Sequence, residues 1–204
     1  MPRGTRSTIF SAACITAVAA LMVAPAAGGS VHVILPVPRP PAQCAGADSL
    51  AIAASPQTLR SAVVCLVNQQ RTKRGLPPLT ASDQLDRSAQ GWTQTMVRTR
   101  RFTHGPGDAF ARRISATGYS WQTAGENIAT GFPTPRSVVA GWMASTDHCR
   151  NILNPSFRDV GTGESDSAVG TFASGPATWT QDFGLRMRAS APSRNRGPMN
   201  GCPY

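Results

Sequence analysis

Between residues 59 and 70, apolar side chains return every third or fourth position: Leu59, Ala62, Val63, Leu66 and Val67, with Gln70 completing the stripe. That is the period of a helix burying one face, and Gly75 supplies its stop. Cys65, Asn68 and Thr72 form the adjacent stripe. Leu76-Pro77-Pro78-Leu79 is a rigid connection, after which Ser82 can cap a second helix with Leu85, Ala89, Trp92 and Met96 inside. The arginines at 98, 100 and 101 suit the negative end of that helix. A loop, Phe102-Thr103-His104-Gly105-Pro106-Gly107, leads to a short third helix opened by Asp108 and closed by Gly118, with Phe110 and Ile114 facing inward.

The period then changes to two. Within residues 125–131, Glu126, Ile128 and Thr130 share one face of a strand. Thr134-Pro135 reads as an N-cap followed by a first-turn proline. The helix they open has Val138, Val139, Trp142 and Met143 as its apolar face, with Ser145 on its last turn. Two strands are expected at 159–164 and 177–187. In the second, Trp179, Phe183, Leu185 and Met187 alternate with Thr180, Asp182, Gly184 and Arg186. Gln181 falls on the apolar face, where a buried amide needs partners. Helices first and strands last predict an α+β fold, with helices covering a small, mainly antiparallel sheet.

The ends of the chain read differently. Arg3 and Arg6 precede an apolar run from Ile9 to Val23, and Ala24-Pro25-Ala26 follows as an A-x-A-like cleavage site. Residues 1–27 are therefore expected to be a signal peptide, an uncleaved anchor being the alternative. Residues 28–57, with Val37-Pro38-Arg39-Pro40-Pro41, read as an extended linker, 58–188 as the domain and 189–204 as a flexible tail. Export to an oxidising compartment gives the cysteines a meaning. Without Cys14, four remain: Cys44, Cys65, Cys149 and Cys202. Four cysteines allow three pairings. We expect Cys44–Cys65 and Cys149–Cys202, because each ties a loose end to a folded element.

Net charge is +10, nearly all of it from arginine, since Lys73 is the sole lysine. The arginines are scattered and accompany no nucleic-acid recognition motif. A solvated basic surface near anionic cell-wall or lipid surfaces is the reading that remains, for a monomeric protein with an unknown ligand.

Hydrolase signatures are missing: the chain has no G-x-S-x-G, no H-E-x-x-H and no S-x-x-K. Cys149 beside His148 does not make a thiol nucleophile, because adjacent side chains on a helical turn diverge. His104, Glu126 and His148 remain. Two imidazoles and a carboxylate can bind a divalent metal or move protons near neutral pH, if folding brings them together.

Six segments occur in order: Asn68-x-x-Arg71, Gly75-Leu76-Pro77-x-Leu79, Phe102-Thr103-His104, Gly125-Glu126-Asn127-Ile128-Ala129, Trp142-Met143-x-Ser145-x-x-His148-x-x-Asn151-Ile152-Leu153 and Trp179-Thr180-Gln181-x-Phe183-Gly184. Together they resemble the CAP superfamily, also called SCP-like domains, in its bacterial secreted branch. The resemblance implies a three-layer α–β–α sandwich with a cleft holding a His, Glu, Glu, His tetrad whose histidines can bind zinc. His104 and His148 match the histidines and Glu126 the first glutamate. Ser145 stands where the second acid is expected, with Asp147 close enough in sequence to substitute. The cleft is expected to contain His104, Glu126, Asn127, Ser145, His148 and Gln181, with one divalent metal on His104 and His148. Glu126 and Ser145 are the candidates for any catalytic role. The function implied is non-catalytic binding of metal and ligand outside the cell; a zinc-dependent hydrolase or a lipid carrier are the alternatives.

Overall fold

The computed structural model describes residues 43–170, 175–189 and 201–203, all within one unit of the chain, 41–204. The expected signal peptide lies outside them, as do most of the expected linker and tail. Among the described residues are five helices: α1 Pro56–Thr72, α2 Asp83–Thr99, α3 Ala109–Ala116, α4 Pro135–Met143 and α5 Thr146–Ile152. Four strands, β1 Thr80–Ala81, β2 Trp121–Thr130, β3 Asp159–Ser165 and β4 Thr178–Arg186, form one sheet in the order β1-β3-β4-β2. β3 and β2 both run antiparallel to β4, and the two-residue β1 adds a parallel edge to β3.

The starts of α1 and α4 obey local chemistry, whereas Ser82, at the head of α2, makes no side-chain capping bond among the described residues; its hydroxyl accepts from Arg186 at 3.3 Å instead. Ser55 accepts a hydrogen bond from the Thr58 amide at 3.2 Å ahead of Pro56. Thr134 accepts from the Ser137 amide at 3.1 Å ahead of Pro135. Each proline sits where a helix has no use for an N–H donor.

Two helical layers enclose the sheet. On one side α1, α4 and α5 bury Leu59, Val63, Val139, Trp142 and Ile152 against Val160, Trp179 and Phe183. On the other, α2 lies so close to β3 that side chains would not fit. A Cβ at Gly161 would come within 2.1 Å of the Leu85 carbonyl carbon, and one at Gly163 within 2.4 Å of Ala89. That approach lets α2 stand in for a strand: Asp86 and Gln90, one turn apart, accept the β3 amides of Thr162 and Glu164 at 2.7 and 3.1 Å. Burial raises the Asp86 carboxyl, against the opposing effect of that amide bond.

Four expectations need correction. Residues 43–55 are part of the fold rather than linker: Cys44, Ala47 and Ala51 are buried, and the Ala51 amide donates to Pro133 at 2.9 Å. Ser145 does not close α4, which ends at Met143; it is the residue before α5. Trp92 is only half-buried, and Thr93 takes the inward position. Met187 lies past the end of β4 and is exposed.

The disulfides are Cys44–Cys65 and Cys149–Cys202, with Cα separations of 5.7 and 5.6 Å. The first fastens the leading segment to α1, and the second fastens residue 202 to α5.

Candidate functional site

β2 is an edge strand, and the cleft opens beside it. Glu126, on the β2 face toward α2 and α3, is almost wholly enclosed, its side chain 1% exposed. Both carboxylate oxygens are engaged. Oε1 accepts from His104 Nδ1 at 2.8 Å, and Oε2 accepts from Arg113 Nη2 at 2.6 Å. A carboxylate can only accept, so His104 carries its proton on Nδ1, and in the neutral ring the Nε2 lone pair is free.

Arg113 comes from α3 and, like the other scattered arginines, is expected on a solvated basic surface. Its side chain is instead 19% exposed and its guanidinium lies 3.7 Å from the centre of the Trp92 ring. It also donates to the His104 carbonyl at 3.1 Å, while the Trp92 indole donates to Thr103 at 2.9 Å. The loop 102–107 is thus held at two carbonyls. A sequence signal existed: Arg113 is three residues past the inward-facing Phe110, one turn along the same helix face.

His148 arrives on α5, which clasps the edge of β2. Asn127 donates to the His148 carbonyl at 3.2 Å; Asn151 donates to the Asn127 side chain at 2.9 Å and the Glu126 carbonyl at 3.1 Å. Half-burial lowers the His148 pKa, proximity to His104 lowers it further, and Asp147 opposes both. The neutral, lone-pair form is favoured.

His104, Ser145 and His148 line one cleft of about 780 Å³. Its remaining walls are largely apolar, with Phe102, Ile128, Phe132, Trp142 and Val169 among them. Asn127 and Gln181, expected in the cleft, are fully buried and oppose each other in the β2–β4 register, one residue out of step with Glu126. They therefore occupy the other face of the sheet. Asn127 serves the cleft indirectly through α5, whereas both polar atoms of the Gln181 amide lack a hydrogen-bond partner among the described residues. Asp147 does not substitute for a second acid, because its side chain is 92% exposed.

The donor set fits a divalent ion only in part. Two imidazoles share the cleft, but among the described residues no three His, Cys, Asp or Glu side chains converge on a point where an ion would sit. Catalytic zinc usually has three protein ligands.

A helix–sheet–helix sandwich with this His–Glu–His edge defines a class, and comparison with known proteins agrees. The chain belongs to the cysteine-rich secretory protein (CAP) family, whose sequence model matches residues 64–183. It is 40% identical over 124 residues to the uncharacterized protein YkwD of Bacillus subtilis, a match covering 59% of this chain and 45% of that one. Among solved structures, an extracellular SCP-domain protein of Bacillus anthracis superposes with a TM-score of 0.54 at 25% identity, over 65% of this chain and 44% of that one. An outer surface protein of Borrelia burgdorferi gives 0.53 at 22% identity, over 61% and 90%, which is a likeness of fold. The chain spans less than half the length of the two Bacillus proteins.

Proposed function

We propose that this protein works outside the cell as a non-catalytic binding protein. Its cleft takes a ligand with an apolar body against Phe102, Ile128, Phe132 and Trp142, and a polar group toward His104 and His148. The observation that carries the reading is the state of Glu126. Its two oxygens are both bonded, and its side chain is sealed from the cleft. A carboxylate so placed orients His104; it does not reach a water or substrate as a general base must.

Export is supported by the apolar N-terminal run behind Arg3 and Arg6, by two disulfides, and by relatives described as extracellular or outer-surface proteins. No helix among the described residues is long and apolar enough to cross a membrane.

His104 through Nε2 and His148 would hold a divalent ion. When bound, such an ion supplies a Lewis-acidic anchor for an anionic or carbonyl group. Affinity should be modest, with two protein ligands, and should fall on acidification as protons compete for the imidazole nitrogens.

The test is calorimetric titration of zinc into wild type and the His104→Ala/His148→Ala double variant, alongside displacement of a fluorescent apolar probe. One weak zinc site lost in the variant, and a probe displaced from a Phe132→Ser-sensitive pocket, are expected. Equal zinc binding by the double variant would overturn the metal assignment. Zinc-dependent turnover of ester or peptide substrates, lost with Glu126→Gln, would replace the binding reading with the hydrolase one.

A further inference from the structure

Glu126 has a companion acid beneath the cleft. The antiparallel register of β2 and β4 sets it directly opposite Asp182. Directly opposed residues point to the same face of a sheet, here the one covered by α2 and α3. On its other flank Asp182 is in register with Gly161 of β3, the glycine on which the α2 backbone rests. Asp182 is thereby sealed, fully buried, and neither carboxyl oxygen has a hydrogen-bond partner among the described residues. The groups facing it are Glu126 from β2, Arg113 from α3 and the Ser88 hydroxyl from α2, and that hydroxyl is also unpartnered.

We propose that Asp182 is the second acid of this site, a positioning residue that keeps its proton at neutral pH and so leaves Glu126 as the one charged carboxylate above it. The proposal holds with the cleft empty and needs neither metal nor ligand. Two ionised carboxylates side by side in a dry interior lose their hydration and repel each other, and one proton between them removes both penalties. In agreement, burial pushes the Asp182 carboxyl well above the ordinary carboxylate range, and the negative charge of Glu126 pushes it further.

The consequence is geometric. With Asp182 neutral, the floor holds one anion, Glu126, and one cation, Arg113, bonded to each other at 2.6 Å. An ionised Asp182 would compete for Arg113, loosen Glu126 and free the His104 ring. The proton on Asp182 therefore keeps the imidazole aimed at the cleft. Where the resemblance implies a second acid at the position of Ser145, this site has its second acid buried in the sheet below.

Infrared difference spectroscopy of ligand-free protein at pH 7, wild type minus Asp182→Asn, tests this directly. Aspartate carrying a carbon-13 carboxyl should show the carbonyl stretch of a protonated acid in wild type, shifted by the isotope and absent from the variant. Asp86→Asn should leave that band in place, excluding the other aspartate that burial raises. Melting curves add a pH profile. The folded chain holds a proton that the unfolded chain releases above about pH 4, so Asp182 costs stability increasingly as pH rises. Asp182→Asn should melt higher than wild type, by a margin that widens from about pH 4 toward neutrality. A missing band, or a margin that does not change with pH, overturns the proposal. If Asp182→Asn does not fold, labelled wild type and Asp86→Asn decide it: a surviving aspartic-acid band supports it and an absent one ends it.

Discussion

Arg71 illustrates how a motif residue can look functional and prove structural. Its guanidinium, fully buried and without a carboxylate partner among the described residues, donates to the carbonyls of Pro77, Ile152, Asn154 and Phe157 at 2.8–3.3 Å. Burial, then the nearby Arg158, brings its pKa down to about 10, so it stays charged at neutral pH. Asn68, one turn earlier, exchanges hydrogen bonds with both backbone groups of Leu79 at 2.9 and 2.7 Å. The Asn-x-x-Arg segment thus staples α1 to two loops. Arg71→Leu would leave four carbonyls short of a donor, at about 1–3 kcal/mol for each one that stays buried and unpaired. We expect a loss of at least about 3 kcal/mol in urea unfolding, with no effect specific to the cleft. Unchanged stability would show that those carbonyls find other donors. Sequence displayed Arg71 as a motif but not its burial, because periodicity marks apolar faces and is blind to an arginine whose partners are all backbone.

At the scale of elements, legibility followed local pattern. α1, α2 and α4 carry apolar stripes, α1 and α4 carry side-chain caps, and β2 and β4 alternate, so all were readable. α5 is legible only as a helical turn at His148 and Cys149, because seven residues, Thr-Asp-His-Cys-Arg-Asn-Ile, are too few and too polar to show a period. β1 is two residues long and exists only because β3 is beside it. The site divided the same way: His104, Glu126 and His148 were legible as chemistry, whereas Arg113 and Asp182 enter through packing and strand register. Two glycines put the element scale to a test. Gly163→Ala would drive a methyl into the Ala89 backbone of α2 at 2.4 Å, where no side chain can swing aside. It should exceed the usual 1–3 kcal/mol cost of overpacking. Gly91→Ala, inside α2 with nothing within 4 Å of its Cβ, should stabilise by up to about 1 kcal/mol. Chemical denaturation of the pair measures both, and equal effects would refute the close contact between α2 and β3.

Across the whole molecule the two disulfides act on different parts, and their removal should separate stability from site geometry. Cys44–Cys65 closes 21 residues and Cys149–Cys202 closes 53, so the chain-entropy estimate is about 3 and 4 kcal/mol respectively. The first ends on α1, a 17-residue helix well anchored by its own apolar face. The second ends on α5, which at seven residues cannot persist alone. α5 depends on Cys202, on Asn127 and Asn151, and on the hydrogen bond from Thr146 to Pro203 at 2.7 Å. Replacing both Cys149 and Cys202 by Ser should therefore lower global stability and also raise amide exchange across residues 146–152, carrying His148 away from His104. Replacing Cys44 and Cys65 should lower stability while leaving exchange in α5 and zinc affinity near wild type. Hydrogen exchange and zinc calorimetry on the two double variants provide the comparison. If both variants weaken zinc equally at matched stability, the ion does not depend on α5, and His148 is not the group that α5 delivers to the cleft.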